Sequence, residues 1–134
     1  MNKEKDKVGL LLIDKNNNLL LQLRDNISEI KYPDCVGTFG GAIKDNETAE
    51  QAIVREVKEE LGYNLKEFEF IGNFPFEGYN IFMFLKIDCE LNADELRILE
   101  GKSIIKIDLN NPNLEKHKFA FNAKEIIKDY LSKA

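Results

Sequence analysis

The run Arg55-Glu56-Val57-Lys58-Glu59-Glu60 places three carboxylates at i, i+3 and i+4. In a helix, about 100° per residue brings Glu56, Glu59 and Glu60 onto one face, roughly 130° from Val54, Val57 and Leu61. Like charges at this spacing repel by a few tenths of a kcal/mol per pair, and the macrodipole disfavours anions near a helix C-terminus. A Glu-rich face is ordinarily just solvated. The other chemistry open to it is a cage of hard oxygens for a divalent cation, in which coordination replaces repulsion. Gly40-Gly41 upstream favours the cage, because glycine lets backbone amides and carbonyls come close to a ligand.

Two further groupings fail on their spacing. Asp14-Lys15-Asn16-Asn17-Asn18 echoes a calcium loop, but the sixth and twelfth places, which need glycine and glutamate, hold Leu19 and Asp25. Gly101-Lys102-Ser103 echoes the end of a phosphate-binding P-loop. The glycine required five positions earlier is Leu96, and the residues that follow are strand-like.

The carboxylates need a scaffold, and the hydrophobic pattern supplies one. Apolar runs at 8–13 and 19–24, joined by the Asn-rich turn, predict a β-hairpin. A loop is expected from Asp25, broken by Pro33, through Gly37-Thr38-Phe39-Gly40-Gly41. Residues 48–61 carry the strongest helical pattern, with Val54, Val57 and Leu61 inward and Gly62 at the C-terminus. Strands are expected at 67–72, 79–90 and 102–108, the second buried on both faces through Ile81-Phe82-Met83-Phe84-Leu85. Residues 121–132 read as a closing helix with Ile126, Ile127, Tyr130 and Leu131 inward. This is an α/β layered pattern.

The chain's 134 residues suit a single domain, expected over 7–134 with residues 1–6 frayed. Hydrophobic residues at 43% and charged residues at 32% describe a globular chain rather than a disordered one. The net charge of −5 disfavours polymeric nucleic acid as a partner. Two distant cysteines, Cys35 and Cys89, and a single histidine, His117, exclude a disulfide scaffold and a multi-histidine metal centre. The charged N-terminus, a short apolar run after it and the lack of any 20-residue apolar stretch point to a cytoplasmic protein with no membrane partner.

Taken together, the spacing reads Gly41-x₅-Glu47-x₇-Arg55-Glu56-Val57-x-Glu59-Glu60-x-Gly62-Tyr63. It resembles the Nudix box, the signature of hydrolases acting on nucleoside diphosphates linked to another moiety, and all seven charged or glycine positions are present. The wider order of elements is similar to a MutT-like domain. The resemblance implies an α/β/α sandwich around a mixed β-sheet, with the box as metal and diphosphate platform. It implies that Glu56, Glu59 and Glu60 bind Mg²⁺, or Mn²⁺ in its place, with the Gly40 carbonyl as a further ligand. Arg55 would hold the carboxylates and so belong to the catalytic set, Glu47 would brace the loop, and Gly62 would end the helix. Arg24 matches a position that often meets phosphate. Glu100, before Gly101, resembles a glutamate that reaches the metal, so Glu59 and Glu100 both stand as candidate general bases. Gly41 and Phe39 fall in the substrate-side loop, and Asn122 near a position that reads a purine base.

The sequence departs from the family pattern at Val36 and Phe39 before the glycines, and at Tyr63, where an aliphatic residue is usual. The expected reaction is attack of a metal-activated water on a diphosphate phosphorus, in a nucleoside triphosphate or nucleotide sugar. A dinucleoside polyphosphate is the alternative substrate, suggested by Tyr79 lying 16 residues past the box, although a tyrosine there also simply begins a strand. A silent nucleotide-binding module on the same fold is the alternative function. The substrate partner is a small nucleotide, and a homodimer is compatible with the resemblance.

Overall fold

The structure is a computed structural model describing residues 5–133. Seven strands form one mixed sheet: β1 (Lys7–Ile13), β2 (Asn18–Leu23), β3 (Val36–Gly37), β4 (Phe39–Ala42), β5 (Glu69–Asn73), β6 (Ile81–Ile87) and β7 (Ser103–Asp108). Two helices, α1 (Ala49–Leu61) and α2 (Ala123–Lys133), complete the chain. Among the described residues the central strand pair β1–β6 is parallel and the other pairings between these strands are antiparallel.

Strand alternation divides the core in two. Val8, Leu10 and Leu12 of β1 pack with Phe39, Ile53 and Val57 on the α1 side. Leu11 and Ile13 face the other way and pack with Leu21, Met83, Ile126 and Ile127 on the α2 side. This is the expected α/β/α sandwich, and Met83, Phe84 and Leu85 of β6 are buried on both faces as anticipated.

The sheet contains a fork. β1 and β2 pair only at Leu12–Leu20 and Ile13–Leu19, and then diverge. Residues 36–42 fill the gap, with Val36-Gly37 on the inner edge of β2 and Phe39 to Ala42 running along β1. A run with three glycines carries no strand propensity, so the sequence alone predicts a loop here. Cross-strand pairing imposes the extended form.

The predicted hairpin forms. Asp14 Oδ1 accepts from the amides of Asn16 and Asn18 at 3.0 and 2.9 Å, and Asn17 takes the left-handed conformation at φ 60°. Residues 1–4 lie outside the described residues. Asp6, expected to fray, is tied down: its carboxylate accepts from the Asn80 amide at 2.9 Å and its carbonyl from Ile43 at 2.9 Å.

α1 begins at a reciprocal cap. Gln51 donates its amide to Thr48 Oγ1 at 3.1 Å, and Thr48 returns its own amide to Gln51 Oε1 at 2.9 Å. Gly62 ends the helix at φ 67°, its amide bonded to the Lys58 carbonyl. The inward face differs from the expected one: Val54 is 37% exposed, and the buried stripe is Ala52, Ile53, Val57, Glu60 and Leu61. Spacings of four, three and one along 53, 57, 60 and 61 trace one helical side, and a carboxylate therefore lies on the core face. Replacing Thr48 with Ala removes the cap. We expect it to lower unfolding free energy by about 1 kcal/mol in urea titrations, with an unchanged m-value.

Candidate active site

The three helix carboxylates occupy different environments. Glu60 is 4% exposed, with Oε1 accepting the Gly40 amide at 2.8 Å and Oε2 approached by Gln22 Nε2 at 3.4 Å. Burial pushes its carboxyl up to about 8, partly opposed by the Gly40 hydrogen bond and reinforced by Glu56 and Glu100. Glu56 lies against Gly41 so closely that a Cβ there would stand 2.6 Å from its carboxyl carbon. Burial raises this carboxyl too, against the pull of Arg55. Glu59 has the most exposed side chain of the three, at 42%.

Arg55 organises the group. Its Nε and Nη2 donate to the two oxygens of Glu47 at 2.7 and 2.9 Å, and Nη2 also reaches the Ala42 carbonyl at 3.1 Å. Nη1 donates to Glu56 at 2.9 Å and lies 3.4 Å from both oxygens of Glu59. This bidentate pairing is a strong, geometry-fixing contact. It holds Glu47 down at about 2, while Glu47 raises the guanidinium well above its ordinary value. Glu47 also accepts the Lys44 amide at 2.9 Å and so braces the loop before α1, as expected.

Glu100 is brought to the same place by backbone contacts. The Leu99 amide donates to the Glu60 carbonyl at 2.8 Å, and Lys102 donates to the Leu23 carbonyl at 2.8 Å. Between them Gly101, at φ 94°, lets the chain press on β2: a Cβ there would lie 2.9 Å from Gln22 Cγ and 3.0 Å from the Leu23 oxygen. The nearness of Glu100 is felt by Glu56 and Glu60, both of which it helps to raise.

Gln22 was missed in the sequence. It is 7% exposed, and its amide spans Glu60 and the Glu100 carbonyl, the latter at 3.0 Å. The available signal was a lone amide inside Leu19-Leu20-Leu21-Gln22-Leu23. Tyr63, the departure at the last box position, donates its hydroxyl to Asp88 Oδ2 at 2.7 Å and pins the end of the box to the turn after β6.

Beside the carboxylates lies a cavity of ≈150 Å³, lined by Gly40 and Gly41 together with Lys7, Arg24, Phe121 and Asn122. Arg24 was expected to meet phosphate. Its guanidinium instead donates to the Lys31 carbonyl at 2.8 and 3.1 Å and to the Tyr32 carbonyl at 3.3 Å, with its charge still on the cavity wall. Asn122 donates its amide to the Phe74 carbonyl at 3.2 Å. Phe39 needs correction. It is fully buried under α1, paired with Leu10, because alternation along β4 sends its side chain into the core, and it is not among the residues that line the cavity.

The donor set suits a divalent cation. Four carboxylates, Glu56, Glu59, Glu60 and Glu100, lie near one another, with Glu56 in the space that Gly41 leaves by lacking a Cβ and one arginine to offset them. Hard oxygens held this close together, with Glu56 and Glu60 raised by burial and by their acidic neighbours, are what Mg²⁺ or Mn²⁺ stabilises. As the side chains are placed, no three acidic, cysteine or histidine groups among the described residues enclose an ion-sized space. Arg55 Nη1 reaches both Glu56 and Glu59, so a cation has to compete with it.

A pH dependence follows from Glu60. Its folded value of about 8 exceeds the ordinary 4.5, so the folded protein holds a proton that the unfolded chain has released. The resulting stability is complete below about 4.5 and is lost as pH rises through 8. In EDTA the melting temperature should fall from pH 5 to pH 8. Glu60→Gln should flatten that slope, and an unchanged slope in the variant would exclude Glu60 as its source.

A model of the NUDIX domain matches residues 3–129. An ADP-ribose pyrophosphatase from Methanocaldococcus jannaschii is 32% identical over 128 residues, covering 90% of this chain and 69% of that protein. An 8-oxo-dGTP diphosphatase from Proteus vulgaris is 33% identical over 72 residues, 50% of this chain and 59% of that protein. Among solved structures, work on MutT from Aliivibrio salmonicida and Vibrio cholerae gives a TM-score of 0.78 at 18% identity, covering 98% of this chain and 100% of the other. The NUDIX domain of Shewanella oneidensis NrtR complexed with ADP ribose gives 0.78 at 16%, with 99% and 90% covered. Those two likenesses concern the fold; the family match and the archaeal relative carry the assignment, and with the box geometry they place the chain in the Nudix family, as a pyrophosphohydrolase.

Proposed function

We propose that the protein hydrolyses the diphosphate linkage of a nucleoside diphosphate derivative with the help of Mg²⁺ or Mn²⁺, and that a nucleoside diphosphate sugar of the ADP-ribose type is the preferred substrate. The observation that carries this reading is a shared boundary. Gly40 and Gly41 line the cavity on one side and meet Glu60 and Glu56 on the other. A substrate whose base or sugar enters the cavity lays its diphosphate across the carboxylates. The archaeal relative's activity on ADP-ribose favours that substrate class.

The residues divide the work as follows. Glu56, Glu59, Glu60 and Glu100 would hold the cation, together with the Gly40 carbonyl. Bound there, the cation would neutralise diphosphate oxygens and acidify the attacking water. That water's oxygen bonds to one phosphorus, the bridging P–O bond breaks, and the water's proton passes to a carboxylate. Glu59 and Glu100 are the two carboxylates for this step, because both are exposed and neither is tied by a backbone amide as Glu60 is. Arg55 keeps Glu56 and Glu59 oriented. Lys7 and Arg24 put positive charge beside the incoming anion.

The dinucleoside polyphosphate reading has only the offset of Tyr79, 16 residues past the box, behind it. Tyr79 is 2% exposed, packs edge-on with Phe76 and pairs with it in an isolated bridge just before β6, so its ring belongs to the core. A silent binding module has no use for four gathered carboxylates. Among the described residues no helix is long and apolar enough to cross a membrane.

A panel of nucleoside triphosphates, nucleotide sugars and dinucleoside polyphosphates, read by product identification with and without Mg²⁺, tests the proposal. ADP-ribose should give AMP and ribose 5-phosphate only with metal, and no turnover on any member would overturn it. Glu59→Gln or Glu60→Gln should lower kcat at least about 10²-fold, whereas Cys35→Ser, Cys89→Ser and His117→Gln should each stay within about tenfold. Mg²⁺ at 100 times its Kd should stabilise the fold by about 2.7 kcal/mol.

Glu100→Gln should cost about 10- to 10⁴-fold, with Glu95→Gln as the control. Rescue by added Mn²⁺ would mark Glu100 as a ligand, and a flattened acidic limb of the pH–rate profile would mark it as the base. Equal behaviour of the two variants would remove Glu100 from the site.

A further inference from the structure

Gln22 interrupts the apolar run Leu19-Leu20-Leu21-Gln22-Leu23 and is 7% exposed. Its backbone is paired on both sides, opposite Gly37 in β3 and Ile104 in β7, so the side chain has a rigid root. Alternation sends that side chain to the same face as Leu20, under α1. A carboxamide buried there costs free energy unless its hydrogens find acceptors. An apolar chain of the same volume would fill the space without that cost. Core filling does not account for the amide.

Its Nε2 donates to the Glu100 carbonyl at 3.0 Å and stands 3.4 Å from Glu60 Oε2, so the firm bond is the one to Glu100. A carbonyl can only accept, which selects a donor at this position and turns the amide nitrogen toward it. The backbone is tied on either side of that carbonyl, by the Leu99 amide on the Glu60 carbonyl and the Lys102 amide on the Leu23 carbonyl, both at 2.8 Å. Those two bonds leave one freedom, the peptide plane between Glu100 and Gly101. Gly101, at φ 94°, is in the region that glycine enters easily, and type I and type II turns differ by a rotation of just such a plane.

We infer that Gln22 is a positioning residue for Glu100: donating from a rigid strand to the Glu100 carbonyl, it locks the peptide plane that aims the Glu100 side chain at the carboxylates of α1. Gly101 serves the same end, since a Cβ there would lie 3.0 Å from Gln22 Nε2. The inference deepens the function proposed above, on which the part played by Glu100 in hydrolysis rests.

A double-mutant cycle with ADP-ribose and Mg²⁺ is the kinetic test. Gln22→Met keeps the volume and loses the donor. It should lower kcat about 10- to 100-fold, the scale of a reacting group misplaced by about 1 Å, and keep KM within about threefold. In a Glu100→Gln background the same change should cost no more than about twofold further, because the group it positions is gone. In a Glu60→Gln background the full loss should persist. Losses that multiply in full with Glu100→Gln, a KM effect as large as the kcat effect, or no loss at all, overturn the assignment. So does a loss that vanishes with Glu60→Gln instead, or a Glu100→Gln variant as active as the wild type.

A second measurement needs neither turnover nor a variant. In amide NMR spectra of the metal-free wild type, Mg²⁺ should shift the Gln22 side-chain signals and the Leu99 and Lys102 amides with a common midpoint. Unmoved Gln22 signals at saturating Mg²⁺ overturn the inference, and this measurement decides if melting curves show Gln22→Met to be unfolded. The two readings fail separately. Shifted Gln22 signals without hydrolysis of any nucleoside diphosphate derivative sink the proposed function alone, and hydrolysis in which Gln22 and Glu100 act independently sinks the positioning role alone.

Discussion

A buried carboxylate accepting a backbone amide is the contact on which the rest of this molecule turns. Glu60 reaches from the core face of α1 to the Gly40 amide in β4, at 2.8 Å. Burying a carboxyl costs several kcal/mol unless its oxygens find donors, and here one strand and one side chain, Gln22, supply them. The bond sets the rotation of α1 over the sheet. With that rotation fixed, Glu56 falls against Gly41 and Arg55 falls between Glu47 and the remaining carboxylates. The Glu60 carbonyl then receives the Leu99 amide and so positions the loop of Glu100.

The glycines are the other half of this constraint. At Gly40 a Cβ would collide with the Val8 oxygen, and at Gly41 with the Glu56 carboxyl. Side chains there would force β4 off β1 or push α1 outward. A segment that looks like flexible loop in the sequence is thus the most tightly spaced part of the site.

How far the sequence could be read follows from where its information lies. The hairpin, α1, α2 and the doubly buried β6 were legible, because apolar periodicity and turn residues encode them locally. The carboxylate cluster was legible from spacing, Gly62 ends the helix as its type suggests, and Arg55 and Glu47 pair in the way the family resemblance implies. The fork was not, since pairing of 36–42 with two diverging strands is a long-range property that glycine propensity hides. Phe39 is hard to place from the sequence for a related reason. Which way a strand residue points depends on register, and Arg24 is claimed by carbonyls of a loop whose path has no periodic signal. The contacts of Gln22 have no local signal, because its partners, Glu60 and the Glu100 carbonyl, lie far away in the chain.

The fork between β1 and β2 also bears on how such a protein can diversify. Its carboxylates rest on the α1 core, whereas Asn122 and the cavity-lining Ile126 rest on the start of α2 and the opposite core. The two layers are separated by the sheet and share little more than a pair of glycines. Substitutions in the first turn of α2 can therefore change the cavity wall while the α1 core keeps its geometry. Selection can act on recognition and on bond cleavage as separate traits, and new substrate preferences are reachable by single substitutions on one face.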